Sequence, residues 1–234
     1  MNKFNFLQNY KDSYNQLIVI FFFFIFFIIG SLTFKDYGIS IDEEFQRSSG
    51  FYWLNYLLNF TSFDELKILT QKKFDSISGF TVMSPINVPF YGVVFDLPLA
   101  FLEIVFNIDD TKNYFYLRHY FNFLIFFSSS IFFYKLLINR FHNFYISIVG
   151  TLLFILSPRI YGASFYNNKD VLFLSLFVIT FYFSFKFIDK FSFKNLIFFS
   201  LFTAFATSTR VIGLVIPVTY ILLFFFSLSS EKKD

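Results

Sequence analysis

Leu17-Ile-Val-Ile-Phe-Phe-Phe-Phe-Ile-Phe-Phe-Ile-Ile-Gly-Ser-Leu-Thr-Phe34 contains no charged side chain. In a helix that faces water on one side, polar residues return every few positions. None returns from Leu17 to Ile29, so lipid is the solvent this stretch requires. A helix rises about 1.5 Å per residue and needs roughly 20 apolar residues to cross the hydrocarbon core. Lys3 and Lys11 precede the run and no small-residue cleavage site closes it, which predicts an uncleaved first span.

The rest of the chain repeats this chemistry. Of 234 residues 56% are hydrophobic, 26% aromatic and only 15% charged, the composition of an integral membrane protein. The 45 phenylalanines rise together with Ile, Leu, Asn and Lys, as a nucleotide bias in the coding sequence would produce, and read as lipid-facing bulk. The net charge of +3 is spread over short loops, with no basic cluster to neutralise a run of phosphates, which excludes a nucleic-acid partner. There is no cysteine, so disulfides and thiolate metal sites are ruled out, and His119 and His142 lack metal-ligand spacing. Hard cations want several oxygen ligands. No metal site and no cofactor is expected, with a divalent metal left open.

Six stretches predict membrane-spanning helices: about 15 to 34, 115 to 138, 144 to 162, 170 to 188, 193 to 209 and 211 to 228. The last two nearly abut at Thr207-Ser-Thr-Arg-Val-Ile-Gly213, which demands a tight turn. A seventh stretch, 88 to 106, carries Asp96, Pro98 and Glu103, and each acid would cost about 2.5–3.5 kcal/mol at mid-bilayer. Leaving that stretch out as a span puts Lys3 and Lys11, Arg140 and His142, Lys186, Lys190 and Lys194, and Lys232 and Lys233 all on one side. That side is the cytoplasm by the positive-inside rule. The expected fold is therefore an all-α polytopic domain over 1–234 in the inner membrane, with both termini cytoplasmic. A long outer loop, about 35 to 114, carries membrane-parallel helices. Segment 88 to 106 is one of them, its acids toward water and its Phe, Leu and Val toward acyl chains. Phe45 to Phe60 patterns as another, Asp64 to Lys73 as a solvated stretch, and Gly79 and Pro85 as breaks.

Two acidic motifs then face outward. Asp42-Glu43-Glu44 opens the outer loop, and Asp170 closes Asn167-Asn-Lys-Asp before the fourth span. Together with Arg118 early in the second span and Ser157-Pro158, this order resembles the N-terminal half of the C-type polytopic glycosyltransferases. The likeness is to the protein O-mannosyltransferase and aminoarabinose-transferase-like branch, which uses polyprenyl-phosphate sugar donors. It implies that Asp42, with Glu43 adjacent, is the catalytic base or orients the acceptor hydroxyl, and that Asp170 is the second outer acid. Asn-Lys-Asp replaces the family's more usual Pro-Asp or Pro-Lys-Asp. The family's His-Pro-Pro is absent; Asn87-Val-Pro-Phe-Tyr91 stands there with one proline, so contacts made by that motif have no counterpart. Family members continue for several more spans, and often an outer soluble domain, which casts this chain as the N-terminal part of such an architecture.

Sugar transfer from a lipid phosphate needs a carboxylate to take the acceptor proton and cations to meet the leaving phosphate. Arg159, Lys169 and Arg210 lie near outer span ends and suit the second role. Each assignment has a structural competitor. Asp42 is also a solvated loop acid, and Asp170 a favourable helix start. Arg159 and Arg210 also snorkel to headgroups, and Arg118-His119 reads as an interfacial anchor. Asp96 and Glu103 read as the wet face of a horizontal helix, with no catalytic part. Three classes follow: a glycosyltransferase whose partners are the polyprenyl-phosphate donor and membrane lipid; a non-catalytic truncated paralogue or subunit completed by a second chain; and, third, a transporter. The last wants interrupted helices and internal repeats, which the chain does not show.

Overall fold

The computed structural model describes residues 3–78 and 92–222, and these are all helix, turn or loop. The predicted breaks at Gly79 and Pro85, residues 88–91 and 223–228 of two predicted segments, and Lys232 and Lys233 lie outside the described residues. In chain order the helices are α1 (Lys3–Thr33), α2 (Glu43–Leu58), α3 (Asp64–Ser78), α4 (Asp96–Val105), α5 (Thr111–Phe141), α6 (Phe144–Leu156), α7 (Pro158–Tyr166), α8 (Asp170–Asp189) and α9 (Phe193–Thr209). A short apolar helix, α10 (Val211–Leu222), begins with a 3-10 turn at Val211–Leu214. That turn is the tight connection the sequence predicts.

Among the described residues three helices are long and apolar enough to cross a membrane: Ser13–Thr33 of α1, α5 and α8. A fourth crossing exists if α6 and α7 count as one span, and they meet at 60°. The predicted straight span 144 to 162 is therefore broken. Pro158 opens α7 without an amide proton, and Ser157 before it is extended at φ −59°, ψ 113°, as the residue preceding a proline prefers. With 17 residues, α9 is roughly 26 Å long and falls short of the ~30 Å core. By length and composition the described residues hold three to four candidate spans, fewer than the six expected, and residues 223–228 of the sixth lie outside them.

Local chemistry sets the other ends. The left-handed turn at His142, φ 49°, stops α5. Asn143 then caps α6 by accepting from the Tyr145 and Ile146 amides. Ser192 caps α9 through the Asn195 amide. Before α8 the Asn167 side chain accepts from the amides of Lys169 and Asp170 at 3.2 and 2.7 Å.

The phenylalanines are not all lipid-facing. Phe21 and Phe24 are exposed, but Phe23, Phe26, Phe123, Phe126 and Phe165 form the core where α1, α5 and α7 meet. The Phe123 and Phe165 rings stack at 5.3 Å and Tyr37 stacks on Phe165 at 4.2 Å, contacts worth about 0.5–1.5 kcal/mol each beyond area burial. Gly30 lets the Phe123 ring sit against the α1 backbone, where a methyl group would overlap it. Gly50 likewise lets α2 lie on the Asp96 carbonyl at the start of α4. This second contact packs two of the loop helices, α2 and α4, against each other.

Candidate functional site

Among the described residues, buried charge is concentrated where α2, α4 and α5 meet. Glu103 is fully buried and accepts from Arg47 Nε at 2.8 Å and from Arg118 Nη2 at 3.2 Å. Arg118 Nη1 also donates to Asp96 at 2.7 Å, and Asn168 Nδ2 donates to the same Asp96 oxygen at 2.9 Å. The Arg47 guanidinium lies 3.6 Å over the Tyr114 ring, a cation–π contact. Two arginines face two carboxylates, so the cluster is close to neutral and its hydrogen bonds offset desolvation. Burial raises Asp96 to about 6, with Arg118 and Lys169 pulling the other way.

This corrects two readings of the sequence. Asp96 and Glu103 do not form a wet face, and Arg118-His119 is not an interfacial anchor; all four are buried. The acids lie seven positions apart, two helical turns, and so share the face of α4 that turns inward. That spacing was the available signal. What it lacked was the partner, since Arg47 and Arg118 come from other helices.

Glu43 joins a second buried pair. Its Oε1 lies 3.0 Å from His119 Nε2, and its Oε2 accepts the Ser40 amide at 3.0 Å. The latter ties the loop before α2, whose N-cap is Asp42, to the first turn of the helix. Glu43 therefore anchors the first turn of α2 to α5. It does not line the cavity beside it.

That cavity has a volume of about 140 Å³ and is bounded by Ser40, Asp42 and Gln46 from the start of α2, Tyr166 to Asp170 from the α7–α8 turn, and Arg210. It brings together four of the predicted site residues: Asp42, Lys169, Asp170 and Arg210. Asp42 is exposed and makes no capping hydrogen bond to α2. Arg210 forms an ion pair with Asp170. Lys169 is half-buried; burial lowers its pKa, with Asp42, Asp96 and Asp170 opposing. Gln46 Oε1 and Asn168 Oδ1 are buried with no hydrogen-bond partner among the described residues. Arg159, exposed on α7, is not among the residues that bound the cavity.

The cavity wall is tied to the charge cluster by a hydrogen bond. Asn168 bounds the cavity and also holds Asp96. Any shift in the arginine–carboxylate cluster therefore reaches the turn that carries Lys169 and Asp170. Among the described residues, no three His, Asp or Glu side chains converge as metal ligands would.

The opposite end of the bundle is basic. From Arg118 to Arg140 α5 advances roughly 33 Å at its usual rise. At that far end Arg140 and Lys186 border one groove, and Asn15 and His142 border another. No family model, curated protein or solved structure matches this chain.

Proposed function

We propose that this chain is a membrane glycosyltransferase that moves a sugar from a polyprenyl-phosphate donor to an acceptor on the outer face of the membrane. One observation carries the reading: Asp42 and Asp170, from distant parts of the sequence, border a single cavity together with Lys169 and Arg210. In this reading Asp42 takes the proton of the acceptor hydroxyl while its oxygen attacks the anomeric carbon. The bond from that carbon to the phosphate oxygen breaks, and the lipid phosphate leaves with the electron pair. Lys169 and Arg210 meet the charge gained by the phosphate. Asp170 holds Arg210 in place until the phosphate competes for it. The unpaired amide oxygens of Gln46 and Asn168 suit sugar or acceptor hydroxyl donors. Glu43 positions the helix start, and Arg159 has no part in the cavity.

The polar end carries the reaction and the basic end faces the cytoplasm, by the positive-inside rule. This orientation places the chain in the inner membrane with both termini inside, with the α6–α7 pair, α9 and α10 completing six crossings. It is tested in intact cells, since the chain has no cysteine. Cysteine at Ile41, which is 96% exposed, should react with an impermeant thiol reagent, and cysteine at Asn139 should not. The reverse pattern would place the cavity in the cytoplasm and end the reading.

A specific observation favours a second reading, a non-catalytic subunit. The cavity of about 140 Å³ is small beside the roughly 300–1,000 Å³ of most ligand sites. A second chain would then complete it. Protein in lipid nanodiscs, incubated with radiolabelled polyprenyl-phosphate sugars, separates the two. Donor binding should fall about tenfold in Lys169→Gln/Arg210→Gln, the loss of roughly 1.4 kcal/mol. A chain that retains no donor at all is a subunit only.

A further inference from the structure

At the basic end of the bundle, a groove of about 620 Å³ lies between α5 and α8, with Leu136, Tyr182 and Phe185 among its walls and Arg140, Lys186 and Asp189 also along it. Lys135 stands beside it: its ammonium lies 5.9 Å from the centre of the Tyr182 ring, and that of Lys186 lies 5.3 Å from the same ring. Long cations at span ends ordinarily reach away from the apolar surface toward headgroups and water. Here two of them converge on one ring at the mouth of an apolar groove. Among the described residues no carboxylate lies within 4 Å of Lys135, Arg140 or Lys186, while six other ion pairs form elsewhere in the chain. The side chains bordering the groove carry one positive charge in excess.

We infer that this groove is a binding site for an anionic phospholipid, its phosphodiester held by Arg140 and Lys186 and an acyl chain laid along Tyr182, Phe185 and Leu136. Charge complementarity and an apolar floor select that occupant. Arginine pairs with phosphate through two parallel donors, and basic pockets between membrane helices take acidic headgroups. A second protein helix would bury these cations and needs acids to meet them. The bound lipid joins the ends of α5 and α8, the helices that also carry Arg118 and Asp170 at the reaction end. The site stands independently of the transferase reading.

The test uses the whole chain, purified in detergent and exposed to equal amounts of phosphatidylglycerol and phosphatidylcholine, with retained lipid counted by native mass spectrometry. The wild type should retain phosphatidylglycerol about tenfold more, and Arg140→Gln/Lys186→Gln should bring the ratio close to one. Lys35→Gln/Lys112→Gln removes the same charge at the other end, where both ammoniums lie by Tyr116, and should leave the preference intact. An unchanged ratio in the first variant, or an equal loss in the second, overturns the site. Glycerol phosphate at matched concentration should not displace the lipid. If it does, the groove holds a soluble anion and the lipid assignment fails. The substituted side chains are exposed, so both variants should unfold at the wild-type temperature.

Discussion

Asp42→Asn should lower sugar transfer by about 10²–10⁴-fold, the usual contribution of a positioned general base, with donor binding changed by less than about threefold. Two features make this a clean change. Asp42 is exposed and gives the helix no capping bond, and asparagine is as good a residue at a helix start as aspartate. The fold should therefore hold, and the thermal unfolding midpoint should match the wild type. The neighbouring Glu43→Gln should behave differently, because Glu43 is buried between His119 and the Ser40 amide and its loss acts on stability. Turnover is measured with a radiolabelled polyprenyl-phosphate sugar at saturating donor. Full turnover by Asp42→Asn would remove Asp42 from the chemistry.

Glu103→Ala should cost about 3–5 kcal/mol of stability, the range for removing one member of a buried ion cluster. Glu103 is 0% exposed and holds Arg47 and Arg118 together. Neither guanidinium can shed its proton to escape the burial. Arg118 would keep Asp96, while Arg47 would keep only the faces of Tyr114 and Phe51. Asp96→Asn should cost far less, because asparagine still accepts from Arg118 and Asn168 and burial no longer opposes a charge. The pH dependence separates the two. The folded protein raises Asp96 from 3.8 to about 6, which favours its protonated form. Its contribution is thus present in full below pH ~4 and is lost as pH rises through about 6. The stability of the wild type relative to Asp96→Asn should fall across that window. Equal unfolding temperatures for Glu103→Ala and the wild type would mean that the cluster does not hold the loop helices.

The membrane class and the tight turn within Thr207–Gly213 were legible because they depend on local composition: long apolar runs and a short polar gap between two of them. The α6–α7 bend was spelled by Ser157-Pro158 and passed over, since apolar length outweighed it. Glu43 reads with Asp42 as one acidic motif, and only its buried partners, His119 and the Ser40 amide, set it apart. Of the predicted site residues, Asp42, Lys169, Asp170 and Arg210 meet at the cavity, while Glu43 turns inward and Arg159 stays on the surface of α7.

By itself the sequence determined that this chain forms long apolar helices suited to a membrane, because hydropathy and helical rise are properties of consecutive residues. Only the tertiary structure decided which charges are buried. Asp96 and Glu103 look solvated on their own helix, since an isolated acid among apolar residues is stable only in water. Arg47 from α2 and Arg118 from α5 supply their counter-charges, and no periodicity within one segment records a partner carried by another.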